Sequence, residues 1–576
     1  MEPALDFRTT NALWCSVLVE TLVRCGLKHA VISPGSRSTP LTMALVRHPA
    51  VAAVPVIDER SAAFFALGIA KQTRAPVVLV CTSGTAGANY FPAVIEAHES
   101  GVPLLVLTAD RPPELRDCAS GQTIDQQKLF GSYVQFFHEF AVPETKLECL
   151  SYARQMMAHA WAATLRPHAG PVHVNLPFRD PLPPVEDGTA VALQGKIDDT
   201  FFAHVQPPAP LPARIAASQR PTTTRGLIVA GPANPDNVTQ YVTSVSALAE
   251  AAGWPILADA LSPLRHAGGA IVAHYDAILR DETLARELTP KYVLCLEGWP
   301  TSKVLRSWLE RTGAEVLLVA DVASNHDALH GRTRHLPIAV ENLVFAGTRA
   351  PDASYAHAWA VAAEAAETAL RREFAAIAPG QLFEPKAAWL LGQHLPAGTP
   401  VFVASSMPVR DVENFWPRNS RNPRLFFNRG ANGIDGTLST ALGVAHVSAA
   451  PAVLLTGDLA LLHDANGFML RAKLRGSLTI VLINNRGGGI FEHLPVARFD
   501  PPFEEFFATP QDVDFSKLCA AHGVEHALVQ DWDQFTGLIA NLPAAGMRVL
   551  EIRTDRKRDA AERRRLLAGV SAGFAG

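Results

Sequence analysis

The sequence has no apolar run of the roughly 18 residues that a membrane span requires. It also lacks a signal-peptide pattern: acidic residues come early, and the apolar run 13–23 is broken by Glu20. A disulfide framework is missing too, since the seven cysteines are odd in number and scattered, with none in a CxxC pair. Such a set suits reduced, mostly buried thiols. The expectation is therefore a cytoplasmic protein with no membrane partner. Nor is there an excess of charge. Lys and Arg number 51 against 55 Asp and Glu, a formal −4, so nothing electrostatic calls for nucleic acid. The one basic stretch, 553–565, has no interleaved aromatics and reads as a solvated helix face. No GxGxxG follows a strand and no GK[ST] occurs, which removes the dinucleotide fingerprint and the P-loop.

What is present is a long, well-buried chain. Its 576 residues exceed one core, and 48% hydrophobic with 18% charged residues describe an ordinary globular protein of three or four domains. Short apolar runs alternate with helical spacing. Residues 30–32 end in SPGSRSTP, 54–57 lead to Asp58-Glu59-Arg60, 76–81 to TSGTAG, and 103–108 to Ala109-Asp110-Arg111-Pro112. Buried-type strands alternating with helices predict doubly wound parallel sheets. Residues 181–187 and 206–221 are proline-rich with little periodicity. Strand–helix text resumes at Arg225, an Ala-rich helix spans 353–372, and a third α/β region begins near Pro400. The domains expected are 1–185, 222–346 and 386–576, with a linker at 186–221 and a helical connector at 347–385.

The densest stretch is 454–491. Strand-like runs 452–456 and 478–483 end in Gly457-Asp458 and in Asn484-Asn485 followed by Arg486 and three glycines, with room for a helix over 459–474. Ligands of open parallel sheets bind at the carboxyl ends of strands. Asp458 and Asn485 would meet there as hard oxygen donors, beside a glycine-opened backbone, for a magnesium ion on a diphosphate. Singly, each is equally an acidic helix cap or a turn. Ser405 and Ser406 at another strand end can offer donors to the same diphosphate. Arg37 and Arg111 follow strands on the edge that carries Glu59, and guanidinium forks there suit an acidic ligand. Singly, Arg111 would be a surface arginine pairing with Asp110 or Glu114, and Glu59 a plain helix-start acid.

Gly-Asp followed some two dozen residues later by paired asparagines resembles the thiamin-diphosphate (ThDP) motif. The texts SPGSRSTPLT, DERSAAFFALGIAK, TSGTAGANYFPAVIEA and TADRPPELRDCASGQTIDQ resemble, more narrowly, the 2-succinyl-5-enolpyruvyl-6-hydroxy-3-cyclohexene-1-carboxylate (SEPHCHC) synthase family of menaquinone biosynthesis. That resemblance implies three α/β domains: pyrimidine-binding (1–185), an unoccupied spacer (222–346), and diphosphate- and metal-binding (386–576). It implies ThDP and Mg²⁺ (or Mn²⁺) held by Asp458, Asn485 and the Gly487 carbonyl. Ser405 would stand at the diphosphate, Ile434 would prop the cofactor in its bent shape, and Glu59 would hydrogen-bond its aminopyrimidine. Ser36, Arg37, Arg111 and Gln122 would bind isochorismate, and Lys303 would contact substrate. Ser406, Arg410 and Arg429 would face 2-oxoglutarate. The activity implied is a transferase that decarboxylates 2-oxoglutarate and adds the succinyl unit to isochorismate, in a homodimer or homotetramer whose Glu59 and Asp458 meet across a subunit interface. A 2-oxo acid decarboxylase or an acetolactate-synthase-like carboligase would keep the same cofactor. Two positions depart from the family text: Gly121, where Asn is frequent, and Val304, where some relatives have Arg.

Overall fold

Three six-stranded sheets are built from the apolar runs. The structure, a computed structural model, describes residues 5–209, 216–219, 223–322, 324–346 and 353–572. The first sheet uses β1 (His29–Ile32), β2 (Ala52–Pro55), β3 (Val77–Cys81), β4 (Leu104–Asp110), β5 (Phe136–Glu139) and β6 (Pro171–Pro177), in the order β2-β1-β3-β4-β6-β5. A short strand β7 (Ala216–Gln219) follows. The second sheet uses β8 (Gly226–Ala230), β9 (Ile256–Ala258), β10 (Ile271–Val272), β11 (Tyr292–Leu296), β12 (Glu315–Val319) and β13 (Arg332–Leu336), in the order β10-β9-β8-β11-β12-β13. Strand β14 (Leu343–Ala346) pairs in parallel with β7. The third sheet uses β15 (Pro400–Val403), β16 (Arg424–Phe427), β17 (Ala452–Gly457), β18 (Ser477–Asn484), β19 (Glu525–Leu528) and β20 (Gly546–Arg553), in the order β16-β15-β17-β18-β20-β19.

All strand pairs described in these sheets are parallel. That is the doubly wound α/β class expected. Helices must then cover both faces, which is why β3, β4, β8 and β11 are buried at every position. Residues 206–209 and 216–219 of the expected linker are described; 210–215 and 220–222, like 347–352 of the expected connector, lie outside the described residues.

The chain forms two compact units. One holds residues 1–211, 428–448 and 463–475; the other holds 212–427, 449–462 and 476–576. In the first unit the helices Glu59–Thr73 and Thr437–His446 cross with their backbones in contact. A Cβ on Gly68 would sit 2.0 Å from the Thr440 carbonyl oxygen, and one on Gly443 2.1 Å from that of Phe65. Glycine is required there by space. The same segment is anchored by Glu96, which accepts the N–H groups of Gly430 (3.1 Å) and Ala431 (2.7 Å), with the buried Lys71 ammonium 3.6 Å away.

In the second unit one apolar core runs from a face of the second sheet, through the helix Ser354–Ala376, to the third sheet. Buried polar groups lock this junction. Arg265 donates to the carbonyls of Ala258 (2.8 Å), Glu413 (3.1 Å) and Trp416 (3.0 Å). The Glu413 carboxyl takes the Ala260 N–H (2.7 Å) and the Tyr275 hydroxyl. Glu413 lies on the helix Met407–Phe415, so this junction fixes the element that carries Arg410. The basic C-terminal stretch differs from the solvated face expected. On the helix Arg556–Ala572, Arg563 is buried against Asp411, and Arg556 bridges Glu492 and Glu504.

Filling the glycine crossing would force the two helices apart. Gly443→Val should cost about 1–3 kcal/mol, the usual range for overpacking, and lower the thermal midpoint by several degrees. Circular dichroism melting checks this; an unchanged midpoint would contradict the backbone contact.

Candidate active site

Strands β17 and β18 are neighbours, and their carboxyl ends bring Asp458 and Asn485 to one edge as expected. The intervening segment is not one helix over 459–474. It breaks into Asp458–His463 and a 3₁₀ stretch Ala465–Lys473, because Asp464 turns its carboxylate onto the Ser439 N–H (2.7 Å). Asp458 is 5% exposed. Its Oδ1 accepts the Leu459 N–H at 2.7 Å and its Oδ2 the Gly487 N–H at 2.9 Å. Burial still dominates and pushes its carboxyl up to about 6. Gly487 has φ +135°, and a Cβ there would strike the Ala508 carbonyl oxygen at 2.3 Å, so only glycine presents this N–H to Asp458.

Asn485 is also buried. Its Nδ2 donates to Glu384 Oε2 at 3.3 Å, while its Oδ1 has no hydrogen-bond partner among the described residues. Ser405 is buried at the end of β15, and Ser406 follows at φ +72°. Arg410 donates to the Ser406 carbonyl, and Arg563 donates to the Arg410 carbonyl at 3.1 Å. The His493 ring, pushed down to about 4 by burial and then by Arg564, Arg410 and Arg280, registers the positive field of this region.

Lys303 is the exposed first residue of the helix Lys303–Thr312. The preceding Ser302 caps that helix and donates to Asp276 at 2.5 Å, and Asp276 in turn faces Arg563. Val304 packs on the apolar core.

The first unit carries a second constellation. Ser83 joins two of the sequence candidates: its hydroxyl takes an Arg111 N–H, and its carbonyl takes the Gln122 amide at 3.0 Å. Arg37 lies beside them, buried, donating to the Phe178 carbonyl at 2.9 Å. The Arg111 guanidinium is lowered from its ordinary value by burial and next by Arg37, with Asp110 and Asp180 acting the other way. The alternative partners are taken. Asp110 pairs with Arg116 at 3.0 Å, and Glu114 with Arg179 at 2.5 Å. Two adjacent, half-desolvated guanidiniums beside an exposed Ser36 make an anion site. Gly121 has open space around it.

Glu59 opens the helix Glu59–Thr73, but it is not that helix's cap. Asp58 caps it, through the N–H groups of Arg60 (2.9 Å) and Ser61 (3.4 Å). Glu59 is half-buried, and its charge acts on the buried Cys81 thiol and Tyr90 hydroxyl, both raised chiefly by burial. No hydrogen bond or ion pair to its carboxylate occurs among the described residues. Ile434 is half-buried in the loop before the helix Thr437–His446, its carbonyl accepting the Thr437 hydroxyl at 2.6 Å. Arg429 belongs to the same unit, next to the Glu96-anchored Gly430.

Three family models match in succession along the chain: the thiamine pyrophosphate enzyme N-terminal TPP binding domain at residues 15–129, the middle domain at 206–403, and the C-terminal TPP binding domain at 408–552. Curated relatives named 2-succinyl-5-enolpyruvyl-6-hydroxy-3-cyclohexene-1-carboxylate synthase are similar over nearly their whole length. One from Trichodesmium erythraeum is 50% identical over 97% of this chain and 98% of its own. One from Nostoc sp. is 50% identical over 99% of each, and one from Synechococcus sp. (strain JA-3-3Ab) 51% over 97% and 96%. The chain belongs to the SEPHCHC synthase family of thiamin-diphosphate enzymes. Among the described residues no helix is long and apolar enough to cross a membrane.

The donors at the third-sheet edge fit a diphosphate-bound divalent cation. Among the described residues no group of three or more His, Cys, Asp or Glu could hold a metal. A cation here would draw on one carboxylate, the orphaned Asn485 Oδ1 and backbone carbonyls, with phosphate oxygens completing its shell, as suits Mg²⁺. The sequence text did not single out Glu384, Arg563, Asp411 or Ser83. For Ser83 the signal was its place at the end of β3. For Glu384 it was a Glu-Pro helix start, but nothing local ties it to Asn485, 101 positions away.

Beneath Arg410, burial and then Asp259 push the Glu413 carboxyl up to about 8. A raised folded value means this group's contribution is complete below the unfolded pKa, near 4.5, and is lost as pH climbs toward 8. Thermal midpoints of the parent should therefore fall between pH 5 and 8, and Glu413→Gln should remove part of that slope. Identical profiles for parent and variant would refute the assignment.

Proposed function

We propose that this chain decarboxylates 2-oxoglutarate and adds the resulting succinyl unit to isochorismate, forming SEPHCHC and CO₂ with ThDP and Mg²⁺ (or Mn²⁺). The observation that carries this reading is the Arg37–Arg111 pair with its Ser83–Gln122 bracket. Asp110 and Glu114 pair with Arg116 and Arg179, which leaves the Arg37–Arg111 pair charge for a dianionic acceptor. A pyruvate decarboxylase or acetolactate synthase has no second carboxylate to recognise and gains nothing from that arrangement.

The roles follow from chemistry. Asp458, Asn485 and the Gly487 carbonyl hold the cation on the diphosphate, and Ser405 stands beside it. Bound there, ThDP would supply the nucleophilic carbon and electron sink that decarboxylation of a 2-oxo acid requires. Glu59 holds a proton at the aminopyrimidine N1′; a carboxylate that its helix does not need as a cap can do so. Ile434 packs under the cofactor. Ser406, Arg410 and Arg429 orient the carboxylates of 2-oxoglutarate, and Ser36, Arg37, Arg111 and Gln122 those of isochorismate, with Lys303 adding charge at the rim. Residues 1–185 then form the pyrimidine-binding domain, 222–346 a spacer, and 386–576 the diphosphate domain. Glu59 of one copy would serve Asp458 of another in a homodimer or homotetramer. Seven free cysteines, five of them buried, suit a reducing cytoplasm.

The decisive assay follows the loss of isochorismate absorbance with ThDP, Mg²⁺ and 2-oxoglutarate. Turnover is expected, whereas turnover of pyruvate alone would sink this reading. Glu59→Gln should lower kcat by about 10²–10⁴, the range for a lost proton relay; near-parent activity would rule out the assigned role. Arg111→Ala should raise the KM for isochorismate roughly 10- to 100-fold, as expected for a lost charge-assisted hydrogen bond. The KM for 2-oxoglutarate should stay near the parent's.

A further inference from the structure

Asn485 is the weak point of the proposed cation site, because an amide can face a cation in two ways. Its oxygen is a ligand, while its NH₂ is a donor that a cation repels, and the two ends are nearly the same size. Something on the far side must choose between them. In the structure that group is Glu384, whose Oε2 accepts Asn485 Nδ2 at 3.3 Å and leaves Oδ1 buried without a hydrogen-bond partner among the described residues. Accepting from Nδ2, that oxygen holds the amide in the one orientation that leaves Oδ1 on the opposite side.

Glu384 is itself tightly held. It begins the helix Glu384–His394 with Pro385 behind it, and its own N–H donates to Asp559 Oδ2 at 3.1 Å. Burial and then Asp559 push its carboxyl up to about 7, opposed by Arg563, the buried guanidinium that pairs with Asp411 and donates to the Arg410 carbonyl. The carboxylate of Asp458 acts on it as well.

We propose that Glu384 is a positioning residue for the divalent cation: by accepting from Asn485 Nδ2 it aims Oδ1 at the metal, and so sets metal-dependent retention of the cofactor. This rests on the cofactor reading above. Groups that orient a ligand from behind commonly govern metal affinity by 10- to 100-fold. Glu384 touches neither substrate nor cofactor in this scheme, so its loss should be felt in metal affinity before it is felt in chemistry.

The test measures Mn²⁺ binding by electron paramagnetic resonance on apo-protein with ThDP and no substrates, for the parent, Glu384→Met and Glu384→Gln. Methionine keeps the volume and removes the acceptor; glutamine keeps an acceptor oxygen and removes the charge. The expected result is a Mn²⁺ Kd raised about 10- to 100-fold in Glu384→Met and within about threefold of the parent in Glu384→Gln. Saturating metal should then restore kcat in the Met variant. A parent-like Kd in Glu384→Met, or equal weakening in both variants, would overturn the proposal. If Glu384→Met does not fold, Glu384→Leu takes its place as the acceptor-free variant and is read by the same criteria. Failure of the parent itself to bind Mn²⁺ with ThDP would instead refute the cofactor reading, so the two failures are distinguishable.

Discussion

A carboxylate buried at the end of a parallel strand is costly, and the third sheet is arranged around that cost at Asp458. Two backbone N–H groups answer it, from Leu459 and Gly487. The second exists only because residue 487 adopts a left-handed conformation with the Ala508 carbonyl pressed against it. The loop after β18 is therefore shaped by the charge it serves. Even so, burial outweighs the donors, and Asp458 stays harder to ionise than an exposed aspartate. A divalent cation would supply the missing compensation.

The strand ends were legible in the sequence because parallel strands are buried on both faces and read as short apolar runs closed by polar clusters. Asp458 and Asn485 follow from that pattern and from sheet adjacency. The competing readings of Glu59 and Arg111 were not decidable there. Glu59 lies in the first turn of its helix, where an ordinary helix-start acid would also lie, while Asp58 fills the cap. Arg111 could have been a surface partner of Asp110 until Arg116 was seen to occupy that carboxylate. In both cases the deciding fact is which neighbour another residue has chosen, and spacing along the chain does not carry it. Glu384 lies further out of reach, since its role exists only through a contact 101 positions away. The helix expected over 459–474 failed for a related reason: Asp464 finds a better partner in Ser439 than in its own helix.

The handling of cations in the first unit argues for what binds there. Arg116 and Arg179 carry out ordinary pairing with carboxylates at the edge. Arg37 and Arg111 are held mainly by a carbonyl and a hydroxyl, neutral acceptors that fix their direction without cancelling their charge. Asp180 pairs with Arg37 at 3.7 Å, but it is exposed, and hydration leaves such a pair weak. Two neighbouring guanidiniums in partial burial repel each other and lose hydration, a cost that a neutral or singly charged small ligand would not repay. A ligand with two carboxylates repays it twice, because each fork gains a charge-assisted bond and the repulsion between forks is screened. The preference for a dianionic acceptor proposed above would then follow from how the arginines are anchored, and would persist if the surrounding loop changed while Ser83 and the Phe178 carbonyl stayed in place.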